Sequence, residues 1–210
     1  MNGHTIAEHF ETAEQAYGSA KLGVWLFLVT EILLFGGLFV TYIVFRSLYP
    51  EMFHEASAFL NRPMGAINTV VLICSSFTMA LGVNKTAHND SKAAARYLLI
   101  TFICGATFMV IKYFEYTHKI HEGLLPGIHF SFETIAHPKA PLFFSLYFMM
   151  TGLHGIHVLV GMGLIAWVLF RTRRGDFDQT YNTPVELTGI YWHLVDLIWI
   201  YLFPLLYLIG

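Results

Sequence analysis

Residues 186–209 form the segment that most restricts how this chain can fold. The segment is apolar and longer than the roughly 20 residues that a helix needs to cross a bilayer, yet it carries Glu186, His193 and Asp196. At 3.6 residues per turn, these side chains and Gly189 fall on one stripe of a helix. A charge in hydrocarbon is costly, so we expect the stripe to face protein or water, with the glycine allowing a neighbouring helix to come close. Two interpretations stay open: the stripe joins helices, or it takes part directly in proton movement.

The composition extends this prediction to the whole chain. Hydrophobic residues make up 56% and charged residues 12% of the 210 residues, whereas a soluble domain has about 25% charged residues. We therefore predict an all-α integral membrane protein. Two cysteines, Cys74 and Cys104, are too few for an iron–sulfur cluster and are interpreted as packing residues. The net charge of −2 and the lack of a basic run do not indicate a nucleic-acid partner.

Five long apolar segments predict a bundle of five transmembrane helices within residues 21–210. The segments cover about 21–49, 64–86, 93–117, 141–170 and 186–209, and residues 46–63 are predicted as a polar loop. Residues 1–20 are predicted as an N-terminal polar segment without the apolar core of a signal peptide. Helical spacing of its apolar residues favours a short surface helix, and a loosely ordered tail is the alternative.

The distribution of basic residues predicts the orientation, because loops on the cytoplasmic side of a membrane collect Lys and Arg. Seven basic residues belong to the side of the N-terminus: Lys21, Lys85, Lys92, Arg96, Arg171, Arg173 and Arg174. Four belong to the other side: Arg46, Arg62, Lys119 and Lys139. We therefore expect the N-terminus in the cytoplasm and the C-terminus outside.

Ionisable side chains inside the predicted helices are the candidate functional residues. Glu31 lies near the middle of the first helix, where burial disfavours a free charge, so we expect it to be neutral or bonded to a neighbour. Lys112 and Glu115 are three residues apart near a helix end, and we interpret them as an interfacial ion pair. His154 and His157 share a face of a glycine-containing helix and are interpreted as hydrogen-bonded residues at helix contacts.

Histidines raise two cofactor hypotheses. Haem b ligation by His154 and His193 would require the two rings to face each other from different helices at matched depth. A metal site in the loop of residues 118–140, which carries His118, His121, His129 and His137, is disfavoured because the spacings are irregular and no cysteine is near.

Three motifs in the order seen here resemble subunit III of the haem–copper terminal oxidases. Residues 191–199 (YWHLVDLIW) resemble the last-helix signature of that family, residues 152–158 (GLHGIHV) followed by Gly161 resemble a second signature, and residues 30–35 (TEILLF) resemble its buried-acid motif. Further matches are Asn68-Thr69, Glu115-Tyr116 and Arg171. The resemblance runs from about Lys21 to Gly210, and five predicted helices correspond to the five-helix bacterial form of the family.

The resemblance implies a non-catalytic subunit without haem, copper or other metal of its own. It implies a partner, the catalytic subunit I, that holds haem and copper, reduces oxygen and pumps protons. Members of the family protect subunit I, support its proton uptake and hold phospholipid. By position Glu31 matches the buried carboxyl, and Arg171 and Trp192 are candidate lipid contacts. The remaining implied partners are other oxidase subunits and membrane lipids of the bacterial inner membrane, and a respiratory supercomplex is a further option.

Four alternatives remain open at this stage. Within the family, the chain is also compatible with subunit III of a quinol oxidase or of a nitric-oxide-reductase-type complex. From other classes, the intramembrane histidines would suit a small haem b protein, and Glu31 with Asp196 would suit a proton-coupled transporter.

Overall fold

The computed structural model describes residues 12–126, 137–179 and 181–208, except the side chains of residues 13, 14 and 16. These residues form six α-helices: α1 (Ala13–Leu48), α2 (Pro50–Ser57), α3 (Arg62–Ala87), α4 (Ser91–His121), α5 (Ala140–Arg174) and α6 (Thr183–Phe203). A π-helical turn, Pro204–Leu208, continues α6. Five of the helical segments are long and apolar enough to cross a membrane, and no strand occurs in the described ranges. The predicted all-α class with five transmembrane helices is confirmed.

Short polar residues at the helix starts explain where three of the long helices begin. The side chains of Thr12, Asn61 and Asp90 accept hydrogen bonds from backbone N–H groups at the starts of α1, α3 and α4, at 3.2, 3.0 and 3.1 Å. Each bond satisfies one of the N–H groups that a helix start leaves without an intrahelical partner. Pro63 also fits the first turn of α3, where its missing N–H costs nothing.

Helix α6 packs between α3 and α5, while α4 completes the inner bundle between those same two helices. Large aromatic side chains fill the core, with Phe108, Trp192, Trp199 and Tyr207 almost completely buried. Helix α1 packs mainly on α2, α5 and α6 and leaves most of its surface exposed. One helix of the five is therefore attached at its edge, while the other four share the core.

The segment predicted as a polar loop contains a helix, α2, which corrects that prediction. Met52, Phe53 and Ala56 of α2 are buried, and the Phe53 ring lies 5.1 Å from Tyr42 of α1 and 5.4 Å from Phe143 of α5. Polar residues alternate with these buried ones in the sequence, so the apolar face becomes evident only when the segment is helical.

The long helices extend beyond the predicted apolar segments, since helix geometry continues into the polar ends. Helix α4 runs to His121 and α5 to Arg174, where the predicted segments stop at residues 117 and 170. Of the predicted N-terminal segment, residues 1–11 lie outside the described residues, and from Ala13 the chain already belongs to α1.

Candidate functional site

Glu31 of α1 and His157 of α5 form an ion-pair-like contact inside the membrane-spanning region. Glu31 Oε2 lies 2.8 Å from His157 Nε2, and each side chain is 13% exposed. His157 Nδ1 is 2.7 Å from the Leu153 carbonyl oxygen, which can only accept a hydrogen bond. Nδ1 therefore carries a proton, and the contact to Glu31 shares one further proton between Nε2 and Oε2. Whichever atom holds that proton, the pair as a whole is neutral.

Aromatic residues enclose this pair. The Phe35 ring meets the His157 ring edge-on at 5.3 Å, and the Tyr191 hydroxyl of α6 donates to the His157 carbonyl oxygen at 3.1 Å. Three helices thus meet at one proton-sharing contact. On the outer side of α1, Ile32 and Leu33 are more than half exposed, so the pair lies just inside the surface of the bundle.

Two residues of the polar stripe of α6, His193 and Asp196, face α3. His193 Nδ1 lies 2.7 Å from the Ser76 hydroxyl, and Ser76 is also within hydrogen-bonding reach of the Asp196 carboxylate. Asp196 is 4% exposed, and its Oδ1 has no hydrogen-bond partner among the described residues. At Gly189 an added Cβ would come within 3.0 Å of Val83 of α3, so the predicted close approach at this glycine is confirmed.

Glu186, the first acid of the stripe, lies at the start of α6 and contacts α1. Its Oε2 accepts a hydrogen bond from the Tyr17 hydroxyl at 3.2 Å, and Tyr17 accepts one from Lys21 at 3.3 Å. The stripe is therefore divided between two neighbours: Glu186 serves α1, whereas His193 and Asp196 serve α3.

Lys112 and Glu115 form the centre of a buried polar cluster. The sequence predicts this pair at the membrane–water interface. Lys112 Nζ donates to Glu115 Oε2 at 2.9 Å and to the Tyr207 hydroxyl at 2.8 Å. The hydroxyls of Tyr147 and Tyr207 donate to Glu115 Oε1 at 3.0 and 2.7 Å. The Lys112 and Glu115 side chains are 8% and 2% exposed. This corrects the snorkelling interpretation: three helices and the π-helical turn enclose the pair.

Two further groups border this cluster. Lys119 is 2% exposed and donates to the Phe59 carbonyl oxygen at 3.1 Å. His154 is fully buried between Phe108 and Trp199, with ring centroids 5.6 and 5.3 Å away. Neither ring nitrogen of His154 has a hydrogen-bond partner in the described part of the chain, which differs from the predicted hydrogen-bonded histidine.

Trp192 fills a notch in the bundle instead of facing lipid. It is 1% exposed, and its indole N–H donates to the Ser75 hydroxyl at 3.0 Å. An added Cβ at Gly161 would lie 2.8 Å from the Trp192 ring, so this glycine makes room for the indole. The expectation of a lipid contact at Trp192 does not agree with this position, because the ring is enclosed by protein.

Arg171 lies at the end of α5 and is partly exposed. Its Nε donates to Asp176 Oδ2 at 3.0 Å, and the guanidinium lies over the rings of Trp167 and Phe177 at 5.3 and 4.9 Å. A guanidinium has five N–H donors, so this bond leaves donors for another group.

The three intramembrane histidines have different contact partners. His154 stacks with aromatic rings, His157 bonds to Glu31, and His193 bonds to Ser76. Across the described residues, no group of three or more His, Cys, Asp or Glu side chains is placed to hold a metal ion, and His129 lies outside those residues. The polar groups are arranged as separate contacts between helices, which suits proton sharing and helix packing.

Sequence reasoning missed Tyr147 and Tyr207. A tyrosine inside an apolar helix must find a partner for its hydroxyl, and both residues lie in predicted helices. That signal indicates a buried polar neighbour but not which one.

Comparison with known proteins places this arrangement in a family. A profile of the cytochrome c oxidase subunit III family matches residues 4–210. Cytochrome c oxidase subunit 3 of Synechocystis is 36% identical over 188 residues, covering 89% of this chain and 74% of its own length. Cytochrome c oxidase subunit 3 of Thermostichus vulcanus is 34% identical, covering 90% of this chain and 86% of its own length. Quinol oxidase subunit 3 of Bacillus subtilis is 29% identical with the same two coverages, 90% and 86%. Together with the five apolar helices, these matches show that the chain belongs to the cytochrome c oxidase subunit III family.

Proposed function

We propose that this chain is the non-catalytic subunit III of a proton-pumping respiratory haem–copper oxidase, most closely of the cytochrome c oxidase type. The observation that carries the proposal is the family match over residues 4–210, which includes all five long apolar helices. The cytochrome c oxidase relatives at 36% and 34% identity exceed the quinol oxidase relative at 29%, and this difference supports the cytochrome c type. Subunit I would hold the haem and copper and carry out oxygen reduction.

Within the complex, the chain would stabilise subunit I and support proton uptake. The Glu31–His157 contact supports this role, because it shares one proton between two atoms 2.8 Å apart just inside the bundle surface. Moving that proton between the two atoms leaves the net charge of the pair unchanged. His193 and Asp196 face α3, and in this proposal they serve to join helices.

Lipid contact is a further part of the proposal. Arg171 remains a candidate phosphate contact, since its hydrogen bonds to Asp176 and Tyr181 use only some of its five N–H donors. Trp192 is left out of this role because of its burial. The proposed location is the bacterial inner membrane, with the N-terminus in the cytoplasm, on the basis of the seven basic residues on that side against four on the other. Other oxidase subunits and a supercomplex are the larger assemblies in which it would act.

A pull-down from membranes in mild detergent tests the proposal. The chain carries an affinity tag at its N-terminus, and an untagged strain controls for non-specific recovery. We expect a large membrane subunit to co-purify with copper and with haem a or haem o, as read by mass spectrometry and the visible spectrum. Recovery of a quinol oxidase or a nitric-oxide reductase would replace the cytochrome c assignment. A folded chain that is recovered alone and colourless would overturn the proposal in favour of a transporter, and stoichiometric haem on the isolated chain would favour the haem b protein.

A further inference from the structure

A pocket of about 300 Å³ opens between the first turns of α4 and the last turn of α5. Three cationic side chains line it: Lys92 and Arg96 from α4, and Arg173 from α5. Ser91 contributes a hydroxyl group to the same wall, whereas the Thr172 hydroxyl, which also lines the pocket, already donates to the Val168 carbonyl oxygen at 2.7 Å. The pocket therefore combines positive charge with donors that suit an oxyanion.

The charges of this cationic pocket are not neutralised by the chain itself. In the parts of the chain that the structure describes, no hydrogen bond or ion pair engages the side chains of Lys92, Arg96 or Arg173. The nearby acids have other partners. Asp90 accepts from the Ala93 N–H at 3.1 Å, and Asp176 accepts from Arg171 at 3.0 Å. Three positive charges are thus available to a ligand.

An apolar row continues from the pocket along the outside of α4. Ile100 and Ile103 are 43% and 53% exposed, and their spacing from Arg96 places all three on one face of the helix. Leu99, next to Ile100 in the chain, also lines the pocket. At about 1.5 Å per residue, the row extends roughly 16 Å from Lys92 to Ile103. A cationic head region followed by an apolar row is the shape of an amphiphile site.

The length of α4 places the two parts at the appropriate depths. A helix of 31 residues is about 46 Å long, whereas the hydrocarbon core is about 30 Å thick. The first turns of α4 therefore reach the level of the headgroups, and Ile100 and Ile103 lie at the level of the acyl chains.

We propose that the cationic pocket binds the headgroup of an anionic phospholipid. Lys92, Arg96 and Arg173 would hold the phosphate, and one acyl chain would lie along Ile100 and Ile103. Free phosphate shares the headgroup chemistry, but it would make no use of the apolar row. The site is separate from the Arg171 contact and requires only that the chain spans a membrane, so it does not depend on the oxidase assignment.

Binding of a photoactivatable phosphatidylglycerol to the purified complex tests this proposal. The lipid carries a diazirine on one acyl chain and is titrated in nanodiscs of phosphatidylcholine. The test variants are Lys92→Gln, Arg96→Gln and Arg173→Gln, singly and combined. Arg174→Gln is the matched control, because it removes the same charge from the same helix end but its guanidinium lies over the Phe170 ring at 4.1 Å, outside the pocket. Inorganic phosphate is titrated in a parallel experiment.

We expect cross-links at residues 99–103 in the unaltered chain and in the control. Each single variant should bind phosphatidylglycerol on the order of fivefold more weakly, and the triple variant on the order of a hundredfold. The single variants keep the test decisive if the triple variant fails to assemble. Equal affinity in all variants, cross-links only on other helices, or phosphate binding without lipid binding at the pocket would overturn the proposal.

Discussion

Two carboxylates inside the helical bundle, Glu31 and Glu115, have very different surroundings. Glu31 at the edge of α1 has one polar partner, His157, at 2.8 Å. Glu115 in the core accepts hydrogen bonds from Lys112, Tyr147 and Tyr207 at 2.7 to 3.0 Å. A group with several partners is fixed in one charge state and one position, because changing it would leave all of those partners unsatisfied. A group with one partner is less constrained, because a change at that group leaves only one partner unsatisfied.

The two carboxylates are expected to have different roles. The cluster around Glu115 joins α4, α5 and the end of α6, so its loss should damage the fold. The Glu31–His157 contact joins a helix that packs mainly by its edge, so its loss should leave the fold intact and affect proton exchange. Three substitutions test this contrast and the strength of the α3–α6 contact, and they follow in decreasing order of expected effect on stability.

Glu115→Ala should have the largest effect. The substitution leaves the buried Lys112 ammonium group without its carboxylate partner, and breaking a buried pair in this way costs about 3–5 kcal/mol. Thermal unfolding of the purified complex in detergent measures the loss. The double variant Lys112→Met with Glu115→Leu serves as control, because it removes both charges, and it should recover most of the stability. A single variant that unfolds at the temperature of the unaltered protein would contradict the structural task.

His193→Leu should have an intermediate effect. The ring bonds to Ser76 at 2.7 Å across the α3–α6 interface, and removing it leaves a partly buried hydroxyl without that partner, at a cost of about 1–3 kcal/mol. The same unfolding measurement applies, combined with Ser76→Ala in a double-mutant cycle. Additive losses in the cycle, or unchanged stability in the single variant, would mean that the hydrogen bond contributes nothing.

Glu31→Gln should have the smallest effect on stability, below about 1 kcal/mol. The amide can still donate to His157 Nε2, and the pair is neutral before and after the change. Assembly into the complex should persist, as measured by the yield of co-purified subunit, while proton uptake during turnover slows. His157→Leu is the partner control and should slow uptake in the same way. Loss of the chain from the complex in Glu31→Gln alone would show that this contact, too, is structural.

The sequence predicts individual helices far better than it predicts their partners. The sequence predicts that Glu31 lies near the middle of a transmembrane helix and is neutral or bonded to a neighbour. That neighbour, His157, is 126 positions away, and nothing in the local pattern relates the two. The spacing of Lys112 and Glu115 predicts their contact with each other, because residues three apart share a helix face. The burial of this pair is not predicted by the spacing, because it depends on Tyr147 and Tyr207 from other parts of the chain.

Glycines illustrate the same limit. Gly152, Gly155 and Gly161 look equivalent in the sequence as sites of close packing. Of the three, only Gly161 has a neighbour, the Trp192 ring, that would lie within 3 Å of an added Cβ atom. Periodicity shows which helix face a glycine occupies, whereas the side chain that fills the space comes from a distant part of the chain. Helix α2 escaped prediction for a related reason, because its apolar face is only three residues long.

The π-helical turn at Pro204–Leu208 has a consequence for the order in which the molecule can be completed. Lys112 and Glu115 enter the membrane with α4, when the chain has not yet reached Tyr147 and Tyr207. Until the ribosome has added the turn that carries Tyr207, the carboxylate lacks its shortest hydrogen bond, at 2.7 Å. A chain arrested before that turn would therefore hold a buried carboxylate with one hydrogen bond missing. Such a chain would be less stable than the complete one and more susceptible to proteolysis.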